Sequence, residues 1–276
     1  MRMVERPWGR TCLPPPFEAL GGQRIGEVWF EPPRGFAQLL VKYIFTSERL
    51  SVQVHPSDSE LPGRGKEECW LVLDAAPGAK IGIGFRAETG AETIRAAALD
   101  GSIEGLMDWH DASPGDFFYL PAGTVHAIGA GVSLIEVQQN SDVTYRLYDY
   151  GRGRELHLDA GLAVVRGKPH PHGLCRHLPG HGHAVLSEGP PFRLDRIDGS
   201  PDAQTALRYG GRPLLVVPLA GEVRVGGECV AVGSCGLAAS LAGVENRGLA
   251  LIAQPVSYPG LAQMSGNRIV EPAAPQ

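Results

Sequence analysis

Two histidines and one carboxylate stand where a metal ion could be held. His126 follows Gly115-Asp116-Phe117-Phe118-Tyr119-Leu120-Pro121-Ala122-Gly123-Thr124-Val125, an apolar run closed by a Pro-x-Gly turn. Residues 117–120 read as a strand, because aromatic and bulky side chains suit a pleated surface. The Pro-x-Gly step forces a tight bend. His126 therefore opens the next strand at a set angle, and can ligate a metal with little further loss of freedom. Upstream, Ser51-Val52-Gln53-Val54-His55-Pro56 alternates, so Gln53 and His55 share one face. Pro56 then stops the pairing. Gly65-Lys66-Glu67-Glu68-Cys69-Trp70-Leu71-Val72-Leu73 starts polar and turns apolar, and carries Glu68. His55, Glu68 and His126 supply two nitrogens and a carboxylate, with Gln53 as a neutral oxygen. With an open position, that set suits a catalytic divalent ion, zinc first; iron or manganese fits nearly as well.

Glycine, five residues, Pro-x-Gly, two residues and histidine is a spacing that resembles the second motif of the cupin barrels. Further pieces make the resemblance more specific. SVQVHP (51–56), GKEECW (65–70), GDFFYLPAGTVHAIGAG (115–131), IEVQQNSDVTYRLYDYGR (135–152) and RELHLD (154–159) resemble, in the same order, the short bacterial type of class I mannose-6-phosphate isomerase. The likeness covers most of residues 38–160. It implies a zinc-dependent aldose–ketose isomerase on two cupin barrels, with one Zn2+ per chain. Such an enzyme interconverts mannose 6-phosphate and fructose 6-phosphate through an enediolate. The resemblance places the metal ligands on Gln53, His55, Glu68 and His126, the essential arginine on Arg146, and phosphate contacts on Ser51 and Arg152. Moving a proton between C1 and C2 also needs a base that works near neutral pH. Lys66, Glu136 and a zinc-bound water are all candidates. The alternative reading is a metal-containing sugar-binding or regulatory cupin without turnover. A metal-cupin dioxygenase is a third, against which the SDVTYR and YGR pieces speak.

The elements that must position these groups follow from the pattern. The expected fold is mainly β: two cupin-type (jelly-roll) barrels with a small helical insertion, the second barrel lacking metal ligands. Residues 1–160 form the metal-binding domain, with the insertion at about 91–110. A helix runs over residues 91–99 and ends at Gly101; Ser102 caps a second one through Trp109. In the Pro/Gly-rich residues 1–37, Trp8 reads as an aromatic plug at the barrel mouth. Residues 161–183 are a linker. Its five histidines (His170, His172, His177, His181, His183) lie among prolines and glycines and read as an exposed loop without a specific metal role. Residues 184–265 form the second barrel, expected to be metal-free because no histidine follows residue 183. Residues 266–276 read as a disordered tail.

Composition sets the outer bounds. The 276 residues are 43% hydrophobic, enough for a sizeable core. A net charge of −5 gives no basic face for nucleic acid. No apolar run approaches the roughly 20 residues of a membrane helix, and the N-terminal residues lack the apolar core of a signal peptide. Five scattered cysteines without a CxxC pair suit free thiols in a reducing cytoplasm. The expected partner is a small sugar phosphate, and the expected state a monomer or homodimer.

Overall fold

The computed structural model describes residues 1–33, 36–256 and 268–270. In chain order the first half holds β1 (Arg2–Arg10), β2 (Ile25–Phe30), β3 (Leu39–Phe45), β4 (Val52–Val54), β5 (Glu68–Ala75) and β6 (Lys80–Phe85). Helices α1 (Ala91–Asp100) and α2 (Ile103–Leu106) follow, then β7 (Met107–Asp111), β8 (Asp116–Leu120), β9 (His126–Ile128), β10 (Val132–Gln139), β11 (Tyr145–Tyr148), α3 (Leu158–Val164) and β12 (Cys175–His177). The second half holds β13 (Ala184–Glu188), β14 (Phe192–Asp198), α4 (Ala203–Tyr209), β15 (Leu214–Ala220), β16 (Val223–Val225), β17 (Glu228–Cys229), β18 (Cys235–Ala238), β19 (Val244–Asn246), β20 (Leu249–Pro255) and β21 (Arg268–Val270).

The architecture is mainly β, as expected. A seven-stranded sheet runs β1-β2-β3-β10-β5-β8-β12 and a five-stranded sheet runs β11-β4-β9-β6-β7. A six-stranded sheet (β13-β14-β20-β15-β18-β21) and a three-stranded sheet (β17-β16-β19) make up the second half. All pairings between these strands are antiparallel.

Side-chain parity sorts the core into layers. Every residue of β3 is buried, because its sheet is covered on both faces. Val41, Tyr43 and Phe45 point one way, with Cys69, Leu71, Phe117, Tyr119, Ile135 and Val137, into a core shared with Leu194, Leu215, Leu237 and Leu251 of the six-stranded sheet. Ile44, Trp70, Val72, Phe118, Leu120 and Leu134 point the other way, against Ile81, Ile83 and Ile128 of the five-stranded sheet. Lys42, Glu68 and Glu136 share this second parity, so three charges face the space between the sheets. The outer face of the five-stranded sheet, through Val52, Val54, Ala127 and Leu147, is covered by Ile94, Ala97 and Ala98 of α1 and Ile103 of α2. The helical insertion is thus a flank over a sheet face.

Several expectations are corrected. The second insertion helix stops at Leu106, and Trp109 lies on β7. Ser102 is helical in φ and ψ and makes no side-chain cap; its N–H is taken instead by the Asp100 carboxylate at 2.8 Å. The histidine-rich linker is also not simply a loop: β12 pairs with β8, and His170 is buried, while His172, His177, His181 and His183 are exposed. Within the expected tail, β21 pairs with β18; residues 266–267 and 271–276 lie outside the described residues.

Candidate metal centre and active-site cavity

The turn before His126 forms as its residues dictate. Gly123 has φ +82°, a left-handed conformation that glycine adopts at little cost. Thr124 N–H donates to Pro121 O at 3.1 Å, and Gly123 N–H donates to His55 O at 2.8 Å. The second bond ties the turn to the strand end that carries the other histidine. Gln53 on β4 lies directly opposite His126 on β9 and opposite Arg146 on β11. Glu68 on β5 faces them from the seven-stranded sheet.

His55, Glu68 and His126 are fully buried, with one ligand atom from each lying within 4.8 Å of the others. His55 Nδ1 lies 2.8 Å from Val143 O, and His126 Nδ1 lies 2.9 Å from Thr124 O. A carbonyl only accepts, so each Nδ1 carries the proton and each Nε2 presents a lone pair. Both Nε2 atoms lie close to Glu68: His126 Nε2 is 3.4 Å from Oε1 and His55 Nε2 is 3.6 Å from Oε2. Gln53 Nε2 donates to His126 Nε2 at 3.2 Å, and Lys66 Nζ to His55 Nε2 at 3.0 Å. Lys66 Nζ also sits 2.7 Å from Glu68 Oε2 as an ion pair, yet neither carboxylate oxygen has a partner in hydrogen-bond geometry. A buried carboxylate without a hydrogen-bond partner, beside two neutral imidazoles that each present Nε2, fits a divalent cation of the zinc type.

Above this group lies a cavity of ≈ 430 Å³. Ser51, Gln53, Lys66, Glu136 and Arg146 line it, together with Trp8, Trp29, Lys42, Trp70, Arg6 and Arg154. Trp8 is buried at the same time, so it both plugs the core and forms cavity wall. Of the catalytic and substrate-contact residues singled out from sequence, Arg152 is the one that does not line the cavity, and His55, Glu68 and His126 lie behind Gln53 and Lys66, which do. The Arg152 guanidinium donates to Arg49 O at 2.8 Å and Glu48 Oε2 at 3.2 Å, and pairs with Asp149 at 3.4 Å.

The comparisons with known proteins fall on the same side. Over 162 residues the chain is 41% identical to a mannose-6-phosphate isomerase of Bacillus subtilis (strain 168), which is 52% of this chain and 51% of that protein. Over 203 residues it is 39% identical to the mannose-6-phosphate isomerase of Streptococcus mutans, 68% of this chain and 62% of that protein. The chain is a homologue of the mannose-6-phosphate isomerases. It spans about half the length of the Bacillus subtilis relatives that it matches. No protein-family model matches it. A crystal structure of the mannose 6-phosphate isomerase from Bacillus subtilis superposes with a TM-score of 0.63 at 22% identity, covering 94% of this chain and 93% of that one. A mannose 6-phosphate isomerase structure bound with zinc and yttrium gives 0.65 at 14% identity, covering 92% and 97%. At these identities the structural likeness speaks for the fold.

The charges beneath the cavity are balanced by each other. Glu136 Oε1 accepts from Lys42 Nζ at 2.9 Å and Oε2 from Trp70 Nε1 at 3.0 Å. Register makes this network, since Lys42 and Trp70 are the cross-strand neighbours of Glu136 on either side. Burial works against the Glu136 carboxylate, but the ammonium groups of Lys42 and Lys66 outweigh it and hold its pKa below the ordinary range. Burial also opposes the Lys66 ammonium, and Glu136 and Glu68 outweigh it, so Lys66 is raised. Glu68 is raised by burial and by Glu136. Burial lowers His126 to about 4 and His55 well below its usual value, which keeps both imidazoles neutral and able to ligate.

Sequence reasoning missed Lys42, Arg6 and Arg154 as cavity residues. Lys42 had a signal: it is the one charge in the otherwise apolar seven-residue run Leu-Leu-Val-Lys-Tyr-Ile-Phe. Arg154 stood inside a piece that carried the resemblance. Arg6 had none, because only the β1–β2 pairing brings it to the cavity.

Proposed function

We propose that the chain is a metal-dependent aldose–ketose isomerase that interconverts mannose 6-phosphate and fructose 6-phosphate, with zinc held by His55, Glu68, His126 and Gln53. The observation that carries this reading is the buried His–Glu–His group, in contact through Gln53 and Lys66 with a cavity lined by Arg146. An end-for-end turn of the Gln53 amide would present its oxygen as a fourth ligand. When bound, the ion supplies Lewis-acid polarisation of sugar oxygens. Arg146 has a neighbouring acceptor, Glu155 O at 2.7 Å, and no carboxylate partner among the described residues. Its remaining N–H groups are therefore available to an oxygen that gains charge in the enediolate. Lys66 and Glu136 line the same wall and are the side-chain candidates for the base, although their neighbours hold Glu136 below and Lys66 above the ordinary pKa range. Ser51 adds a buried hydroxyl to the substrate surface. On this reading the two sheet pairs correspond to two jelly-roll barrels, with the metal assigned to the first alone.

A coupled assay that converts mannose 6-phosphate to fructose 6-phosphate, run before and after chelator, tests the reading. Turnover that disappears with chelator and returns with added zinc is expected. A protein that holds metal and binds sugar phosphate without turnover would be the regulatory alternative instead.

A further inference from the structure

We infer that Arg6 and Arg154, flanking Arg146, form the subsite for the phosphate dianion of the substrate, and that Arg152 is not part of it. This deepens the isomerase reading and rests on it for the identity of the sugar. Three guanidinium groups line one cavity. Arg6 and Arg154 are each fixed by a carboxylate that leaves donors spare. Arg6 Nη2 donates to Glu27 Oε2 at 2.7 Å, and the same oxygen accepts Trp29 Nε1 at 2.9 Å. Arg154 gives Nε and Nη2 to the buried Asp149 at 2.7 and 2.5 Å. Arg6 Nε and Arg154 Nη1 have no hydrogen bond among the described residues. Arg146 Nε is buried and without a partner.

Such an arrangement puts like charges side by side, and burial together with repulsion from Arg154 lowers the Arg146 pKa. An anion held by Arg6 and Arg154 offsets that repulsion, and planar forks suit the oxygens of a phosphate. Glu5 and Asp142 also line the cavity, but each is engaged elsewhere, Glu5 with Gln23 at 2.9 Å and Asp142 with Arg64 at 2.9 Å. Arg152 has its guanidinium spent on Glu48, Asp149 and Arg49 O, with its ring-facing side 5.2 Å from the Tyr150 centroid. Its contact with Asp149 is the long one at 3.4 Å, against 2.7 and 2.5 Å from Arg154, so Asp149 is fixed without it.

The test uses the full, metal-loaded chain with inorganic phosphate as the probe, measured by titration calorimetry, alongside steady-state kinetics on mannose 6-phosphate. Arg6→Gln and Arg154→Gln should each weaken phosphate binding by about tenfold or more, the size expected when one charge-assisted hydrogen bond is lost. KM should rise by a similar factor, with a smaller fall in kcat. Arg154→Lys keeps a cation against Asp149 and should keep the fold and metal, yet bind phosphate almost as weakly as Arg154→Gln. Arg152→Gln should change phosphate affinity less than about threefold. The inference is overturned if the parent protein does not bind inorganic phosphate, if both Arg6→Gln and Arg154→Gln bind it normally, or if Arg152→Gln is as weak as they are. Phosphate binding with this pattern in a protein without isomerase turnover would leave the subsite standing and remove the isomerase reading alone.

Discussion

Replacing Lys42 by methionine should destabilise the protein strongly, and the size follows from the buried network. Lys42 and Glu136 side chains are 7% and 4% exposed and lie 2.9 Å apart. Lys42 Nζ also donates to Gln138 Oε1 at 2.5 Å and stands 4.6 Å above the Trp29 ring. Methionine keeps much of the stem volume and removes the charge, so Glu136 is left buried with Trp70 Nε1 as its remaining hydrogen-bond donor. Breaking one side of a buried pair costs about 3–5 kcal/mol. Lys66 still faces Glu136, which places the loss near the lower end, about 3 kcal/mol. At about 2–4 °C per kcal/mol for chains approaching this size, the melting midpoint should fall by about 6–12 °C. Urea unfolding of the metal-loaded protein measures the same loss as a shift in midpoint at constant slope.

The pH dependence has a definite sign. The parent holds the Glu136 pKa below the 4.5 of an ordinary glutamate. That depressed value contributes stability above pH 4.5 that is lost as pH falls through the folded-state pKa. Without Lys42 the depression shrinks, so parent and variant should differ most at neutral pH and converge below pH 4.5. Adding Glu136→Leu to Lys42→Met should recover part of the loss, since no unpaired carboxylate remains. A loss under about 1 kcal/mol, or a double variant less stable than the sum of the singles, would refute the reasoning.

Three further outcomes are expected. His126→Ala should retain little metal by elemental analysis, because an incomplete ligand set loses both charge and geometry; full occupancy would remove His126 from the site. Arg146→Ala should lower kcat on mannose 6-phosphate by about a hundredfold, the size of one lost oxyanion donor, with Arg146→Lys recovering little; normal turnover in a folded, metal-loaded variant would remove Arg146 from the proposed mechanism. The metal-free protein should lose stability as pH falls from about 6.5 towards 4, because His126, held to about 4 by burial, stays neutral while the unfolded chain takes up the proton; a melting midpoint that stays flat between pH 7 and 4.5 would show that this histidine is not buried neutral.

Local chemistry was legible in the sequence wherever it depends on neighbours along the chain. The Pro-x-Gly bend before His126, the alternation that puts Gln53 and His55 on one face, and the glycine that ends α1 follow from turn geometry and side-chain periodicity. These features, together with the motif pieces between residues 51 and 159, pointed to the candidate metal residues and to a mainly β chain. Tertiary structure alone decided what depends on register between distant strands. The pairing of Glu136 with Lys42, 94 positions away, follows from how β3 and β10 align. Arg6 reaches the cavity because β1 pairs with β2, which lies on β3. Arg152 and Arg154 are two residues apart and equally polar in sequence, yet Asp149 turns one towards the cavity while Glu48 and Arg49 O hold the other outside it. Composition cannot rank two such arginines, because the choice is made by carboxylates and carbonyls that only folding brings beside them.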